Sequence, residues 1–334
     1  MYFNRTEFIN NYDRAVDQLD HVAQVSTEIK KLEIKKIFFT GCGGAFTKFV
    51  DLRPTMFKQL NIPFTIVSPE ELVDVYLTDL DEHTLVVSGT KTGTTTELLK
   101  SLNTIKDKSP KTIQLGFIGD ANSELEKMGI LDYQFNSVDT DANLIELGWF
   151  LEVYSGAAQV QDTVAAQKQL SDLSQHLADK IEALVPKSVK KVNETDLSEM
   201  QMWVSSGYAW GEACCFANYI SEEIERIKSQ SVHAGEYFHG PFEITDQNQC
   251  VNVVVNSGTT RDIDLRVVDF AKKFAKDCFV IDLKDFELTD LPDNLKSFVE
   301  PYVLNHYFDV LLNIYATRTG RTSATRRYYR LMNY

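Results

Sequence analysis

The chain is 334 residues long, of ordinary globular composition, and carries 34 Lys and Arg against 48 Asp and Glu, a formal net charge of −14. That length suits two domains of ordinary size, each able to bury its own core. So acidic a surface repels nucleic acid and anionic membrane, so neither is an expected partner, and an anionic substrate must be captured by local groups against the overall field.

The first residues, M-Y-F-N-R-T-E-F, lack a basic segment followed by an apolar one, so no signal peptide is read there. Residues 6–33 predict a helix with Phe8, Val16, Leu19, Val22 and Ile29 on one face. The segment K-K-I-F-F-T-G-C-G-G-A-F follows: an apolar run from Ile37 to Thr40 breaks at Gly41, Gly43 and Gly44, and a helical pattern continues to about Leu60. Strand, glycine turn and helix open an α/β unit. Further strands are expected at Phe64–Val67, Leu85–Ser88, Thr112–Ile118 and Tyr133–Phe135, with helices around 69–76, 94–105 and 121–128. Alternating strands and helices imply a parallel sheet covered on both faces.

Residues 142–184 read as helix, apolar from Leu144 to Val153, then rich in Gln, Asp and Ala. The scheme then repeats: M-W-V-S-S-G-Y-A-W-G-E-A gives strand residues, Gly207 and Gly211, and a helix to about Ile227. V-V-S-G-T-K-T-G-T-T-T-E at 86–97 is echoed by V-V-N-S-G-T-T-R-D at 254–262, both strand ends entering Gly/Thr turns that open helices. The chain therefore reads as two copies of one α/β domain, at 1–160 and 195–334, joined by a helical connection at 161–194. Cys42, Cys214, Cys215, Cys250 and Cys278 form no C-x-x-C pair, so neither a zinc cluster nor a disulfide framework is indicated. No apolar run approaches the roughly 20 residues that span a bilayer. A cytoplasmic protein with free thiols is expected.

The turn Thr90–Thr95, T-K-T-G-T-T, lies at a strand-to-helix junction, where backbone N–H groups and the helix dipole favour an anion. Thr90, Thr92, Thr94 and Thr95 add hydroxyls, and Lys91 a charge. The spacing fits neither a Walker A loop nor G-x-G-x-x-G, so a phosphate monoester suits it better than a nucleotide. The plainer alternative is a helix with a threonine N-cap.

The stretch 233–243, H-A-G-E-Y-F-H-G-P-F-E, is the other concentration of chemistry. His233, Glu236 and His239 are each three apart, unlike the H-E-x-x-H of zinc enzymes, and Gly235, Gly240 and Pro241 interrupt a helix, so no metal site is read. An acid–base role suits a histidine before Gly-Pro, because histidine titrates near neutrality. A carboxylate base is also needed to move a proton beside a carbonyl or imine carbon, and Glu222, Glu223, Glu225, Glu236 and Glu243 are all candidates by sequence.

These motifs together resemble the tandem sugar-isomerase (SIS) domain family. The threonine turn resembles the S-x-S-G-x-[ST] loop of those domains, G-C-G-G-A at 41–45 resembles their first glycine turn (Gly43 and Gly44), and 233–243 resembles the active-site loop of the fructosamine-6-phosphate deglycases. G-T-T-R-D at 258–262 and T-R-R-Y at 325–328 agree with it. The resemblance implies two tandem domains, each a parallel sheet flanked by helices. It implies that Glu223, sixteen residues before His239, is the proton-transfer base and His239 the acid–base residue, with His233 and Glu236 positioning groups. It further implies a 6-phosphorylated fructosamine as substrate, no cofactor, and a homodimer with sites at the interface.

The chain departs from glutamine-dependent glucosamine-6-phosphate synthase, which it otherwise resembles: Tyr2 stands where that enzyme's glutaminase cysteine would be, and the tail from Arg318 has arginines and no lysine. D-A-N-L-I-E at 141–146 also lacks the expected glutamate-to-lysine pattern. The competing readings are a glucoselysine-6-phosphate deglycase, a ketose/aldose-phosphate isomerase, and a non-catalytic sugar-phosphate sensor. The sequence does not say which of Arg226, Lys228, Arg261 or the tail arginines face the substrate.

Overall fold

The computed structural model describes residues 2–137, 140, 142–329 and 331–332. Asp141, which opens the D-A-N-L-I-E stretch, and Arg330 in the tail lie outside the described residues. The chain forms two compact units: Glu7–Ser174 with Asp293–Val299, and Met1–Thr6 with Gln175–Pro292 and Glu300–Tyr334.

The helix expected over 6–33 is two helices, α1 (Arg5–Asp17) and α2 (Leu19–Lys30). Between them the Gln18 N–H bonds the Ala15 carbonyl, a single tighter turn that divides the helix yet keeps its apolar face in line. Phe8, Val16, Leu19, Val22 and Ile29 are all buried. The first unit then runs β1 (Lys36–Thr40), α3 (Gly44–Gln59), β2 (Phe64–Val67), α4 (Pro69–Tyr76), β3 (Thr84–Thr90), α5 (Thr96–Lys108), β4 (Ile113–Ile118), α6 (Glu124–Met128), β5 (Tyr133–Asn136), α7 (Leu144–Ser155) and α8 (Thr163–Ser171). The one helix expected over 142–184 is broken, because Gly156 turns left-handed at φ 87° and ends α7. α9 (Ser174–Glu194) leads into the second unit.

The first sheet is parallel throughout, in the order β2-β1-β3-β4-β5. β3 is buried along its whole length, as a central parallel strand covered on both faces must be. Phe38 and Val86 meet Leu98, Leu102 and Ile105 of α5 in one core. Side-chain caps fix where several helices begin: Ser68 accepts from the Glu71 N–H, Ser123 from Glu126, and Asn143 from Ile145.

The second unit continues with β6 (Gln201–Ser205), α10 (Trp210–Cys214), a π-helix over Cys215–Glu225, β7 (Ser229–His233), β8 (Cys250–Val255), α11 (Arg261–Phe274), β9 (Asp277–Asp282) and α12 (Asp293–Thr319). Its parallel sheet has the order β7-β6-β8-β9. β6, β7, β8 and β9 thus occupy the places that β1, β2, β3 and β4 hold in the first unit. The duplication read from the Gly/Thr turns is a duplication of topology, and the fold class is α/β, two parallel sheets flanked by helices. Among the described residues no helix is long and apolar enough to cross a membrane.

Asn143 is buried and its Oδ1 accepts from the Ile145 N–H at 2.9 Å, so α7 depends on it for its first turn. Asn143→Ala is expected to cost about 1 kcal/mol of stability, read as a lowered melting temperature, whereas Asn143→Asp should keep most of the cap.

Candidate active site

In the first sheet the chain leaves β1 toward β2 and leaves β3 toward β4, in opposite directions across the sheet. Open α/β sheets bind ligands at such a switch point, beyond the carboxyl ends of the two diverging strands. The sequence places its two glycine turns there. Gly43 is the N-cap of α3 at φ 58° and Gly44 opens the helix. Thr90 ends β3, and its hydroxyl accepts from the Gly93 N–H at 3.1 Å. The Gly119 and Asp120 N–H groups bond the carbonyls of Thr90 and Lys91 at 3.0 and 2.7 Å, and the Leu125 N–H bonds that of Gly93 at 3.0 Å. The turn is therefore held by its carbonyls. Gly93, at φ 59°, has no room for a Cβ, which would stand 2.5 Å from that of Ser123.

Thr95 is the N-cap of α5, but its hydroxyl makes no capping hydrogen bond. A simple threonine cap would make one; a hydroxyl left over beside the first-turn N–H groups suits an anion. The Thr92 and Thr94 hydroxyls lie 2.8 Å apart, and Lys91 is exposed. Cys42, between the glycines, is not a nucleophile: burial, then the charges of Glu97 and Glu70, push its thiol up to about 11.

In the second unit the π-helix decides which glutamate is presented. Phe216 anchors it, with ring centroids 4.6 Å from Trp203 on β6 and 4.5 Å from Phe308 on α12. Hydrogen bonding to the fifth residue widens the turn, and such turns are found frequently at functional sites. It ends where Arg226 turns left-handed at φ 54°. Five candidate carboxylates then separate. Glu225 is buried; its side chain accepts from the Thr319 hydroxyl and its carbonyl from Arg321 at 2.6 Å, so it fastens the tail. Glu236 and Glu243 are exposed. Glu222 accepts from the Ser229 N–H at 3.3 Å. Glu223 stands partly exposed, 3.6 Å from the Arg326 guanidinium.

Glu222 and Glu223 line a cavity of about 740 Å³ together with Arg226, Lys228, Arg326 and Arg327. Arg261, by contrast, is committed to Asp282 through two hydrogen bonds of 2.8 and 2.6 Å. His239, in a 3₁₀ turn, is exposed and is not among the residues lining this cavity. His233, at the end of β7, meets the Trp210 ring edge to face at 5.3 Å, and its Nδ1 accepts from the Gly235 N–H at 3.1 Å. Its ring shapes the loop. Asn143 and Glu146, from the D-A-N-L-I-E stretch, are a helix cap and a buried carboxyl that burial raises well above the ordinary range.

No family model matches the chain. It is 27% identical over 312 residues to the fructosamine deglycase FrlB of Bacillus subtilis (strain 168), covering 90% of this chain and 93% of that protein. A solved structure from Bacillus subtilis, assigned as a phosphosugar isomerase, superposes with a TM-score of 0.83 at 22% identity, covering 96% of this chain and 99% of the other. A second, from Salmonella typhimurium LT2 and assigned likewise, gives 0.80 at 22% identity over the same shares. The chain shares the fold of these two structures, two parallel sheets flanked by helices.

The second copy of the switch point, between β6 and β8, is filled from within. A Cβ on Gly258 would stand 2.1 Å from the Tyr208 hydroxyl, so the ring lies directly on the turn. Asp264 is buried; Oδ1 accepts from Ser206 at 2.7 Å and Oδ2 from the Asn256 side chain and backbone at 2.6 and 3.0 Å. Burial nonetheless raises its carboxyl to about 6, and these hydrogen bonds offset part of that.

In the unfolded chain Asp264 ionises near 4, in the folded one near 6. Between these values the folded protein holds a proton that the unfolded one has lost. The group's contribution is full below about pH 4 and is lost as pH rises through about 6, amounting to about 2–3 kcal/mol. Unfolding measured from pH 4 to 7 should show this fall in the native chain and a flatter profile in Asp264→Asn.

Proposed function

We propose that the chain is an enzyme of the sugar-phosphate isomerase and deglycase kind that cleaves a 6-phosphorylated fructosamine into glucose 6-phosphate and a free amino acid. The observation that carries this reading is Glu223: a partly exposed carboxylate, presented by a π-helix into a cavity and paired with Arg326 at 3.6 Å. A relative named as a fructosamine deglycase supports it.

In this reading the threonine turn at Thr90–Thr95 takes the 6-phosphate on its hydroxyls and the first-turn N–H groups of α5. His239 moves the ring-oxygen proton that opens the sugar. Glu223 removes a proton from C1, the electron pair forms the C1–C2 double bond and the C2 carbonyl oxygen takes up a proton, giving an enaminol; return of a proton to C2 with loss of the nitrogen's proton leaves a Schiff base at C1. Water adds to that imine carbon, the C–N bond breaks, and the amino acid leaves with the proton its nitrogen requires. The protein works as a homodimer in which each chain offers His239 to substrate held by the other, a role compatible with the exposure of that histidine and its place outside the lining of the Glu223 cavity. His233 and Glu236 position the loop.

A coupled assay for glucose 6-phosphate, run on the 6-phosphofructosamines of lysine and aspartate and on glucoselysine 6-phosphate, tests the reaction. Release is expected from a fructosamine. Glu223→Gln and His239→Asn should each lower kcat by about 10²–10⁴-fold with unchanged melting temperature. Isomerisation of a hexose 6-phosphate without release from any adduct would make the chain an isomerase; tight binding without turnover would make it a sensor. Thr95→Val should raise KM by about tenfold while leaving kcat within a few-fold, since it removes one hydrogen bond to a charged group held away from the reacting carbons.

A further inference from the structure

The cavity around Glu223 has a charge opposite to that of the chain. Among the described residues, Arg226, Lys228, Arg326 and Arg327 face it with Glu222 and Glu223, four cations against two carboxylates, a net +2 in a protein of net −14. Glu223 is already matched by Arg326 at 3.6 Å, and Glu222 is held by the Ser229 N–H at 3.3 Å. Two cations are therefore in excess of the acidic groups among the described residues that line the cavity. The two tail guanidiniums are oriented by aromatic rings: Arg326 lies 5.4 Å from the Tyr329 ring centroid and Arg327 6.0 Å from that of Tyr328. A guanidinium fixed in this way loses little freedom when it meets a carboxylate, which it binds through two parallel hydrogen bonds.

We infer that this cavity recognises the carboxylates of the amino acid carried on the sugar, and that it selects an Nα-linked acidic amino acid over an Nε-linked lysine. The inference rests on the proposed reaction, because it is the chemistry that says what must lie beside Glu223. A base that takes the C1 proton stands next to the nitrogen substituent on C1, at the opposite end of the sugar from the 6-phosphate. An Nα-aspartyl adduct places two carboxylates within a few bonds of that nitrogen. An Nε-lysyl adduct places a neutral tetramethylene chain there and carries a zwitterion at its far end, with nothing to match an excess of cations.

Binding decides the matter apart from turnover. The full chain carrying His239→Asn, which leaves the cavity lining intact, is titrated calorimetrically with three ligands: the aspartate adduct of fructose 6-phosphate, the Nε-lysine adduct, and fructose 6-phosphate itself. The aspartate adduct is expected to bind at least about tenfold more tightly than the lysine adduct, the size of effect that charge-assisted hydrogen bonds produce. Adding Arg327→Gln and Lys228→Gln, both at exposed positions, should abolish that preference and leave fructose 6-phosphate affinity unchanged. Equal affinity for the two adducts, or no measurable binding of either, overturns the inference. A matching loss of fructose 6-phosphate affinity in the substituted protein overturns it too, because the cations would then serve the phosphate. Failure of the reaction itself reads out separately, as no glucose 6-phosphate from any adduct with the native chain.

Discussion

The place where two neighbouring parallel strands send their connections in opposite directions governs this molecule. Between β1 and β3 the connections diverge, and the glycine and threonine turns end at the place where open α/β sheets bind ligands. The left-handed Gly93, the carbonyls tied to residues 119–125 and the helix start at Thr96 all serve to hold backbone around that opening. The same constraint acts between β6 and β8, and there the chain answers it differently: Tyr208 lies on the turn at Gly258, and Asn256, Ser206 and Asp264 satisfy one another. One topology, used twice, ends in two differently built turns.

The residues proposed for acid–base chemistry belong to the second unit but not to its switch point. Glu223 comes from the π-helix that follows β6, and its surroundings come from the tail that follows α12. The wide helical turn matters because it separates adjacent carboxylates by role. Glu222 braces the start of β7, Glu223 faces the cavity, and Glu225 anchors Thr319. A regular α-helix across S-E-E-I-E would point these residues along other directions.

Much of the architecture was legible in the residues. Phe64–Val67 is a strand and Pro69–Tyr76 a helix at the bounds the sequence suggests, because a β-branched run and the Ser-Pro start leave little choice. The break at Gln18 was hidden, since the apolar face passes through it unchanged. The π-helix was hidden for another reason: C-F-A-N-Y-I-S-E-E-I-E has an ordinary helical composition, and the hydrogen bonding to the fifth residue is set by packing of Phe216 on Trp203 and Phe308. The choice among five glutamates rested on resemblance, and the geometry is what separates them. The partnership of the tail with Glu223 has no periodic signature either, although the run R-R-Y-Y, two arginines followed by two rings in a tail of no clear secondary structure, was a signal that could have been followed.

Among the described residues from Gly320 onward, none is buried. The tail is fastened by Glu225 and a few hydrogen bonds at its root, and beyond them it lies on the protein without contributing to either core. The groups that meet Glu223 from this side can therefore be exchanged with little thermodynamic penalty to the sheets beneath. In the proposed reaction the base is built into a helix packed on aromatic rings, while the groups that would meet the amino acid hang on a segment outside both cores. Such a division would let the proposed catalyst be retuned for new amines through a handful of surface changes.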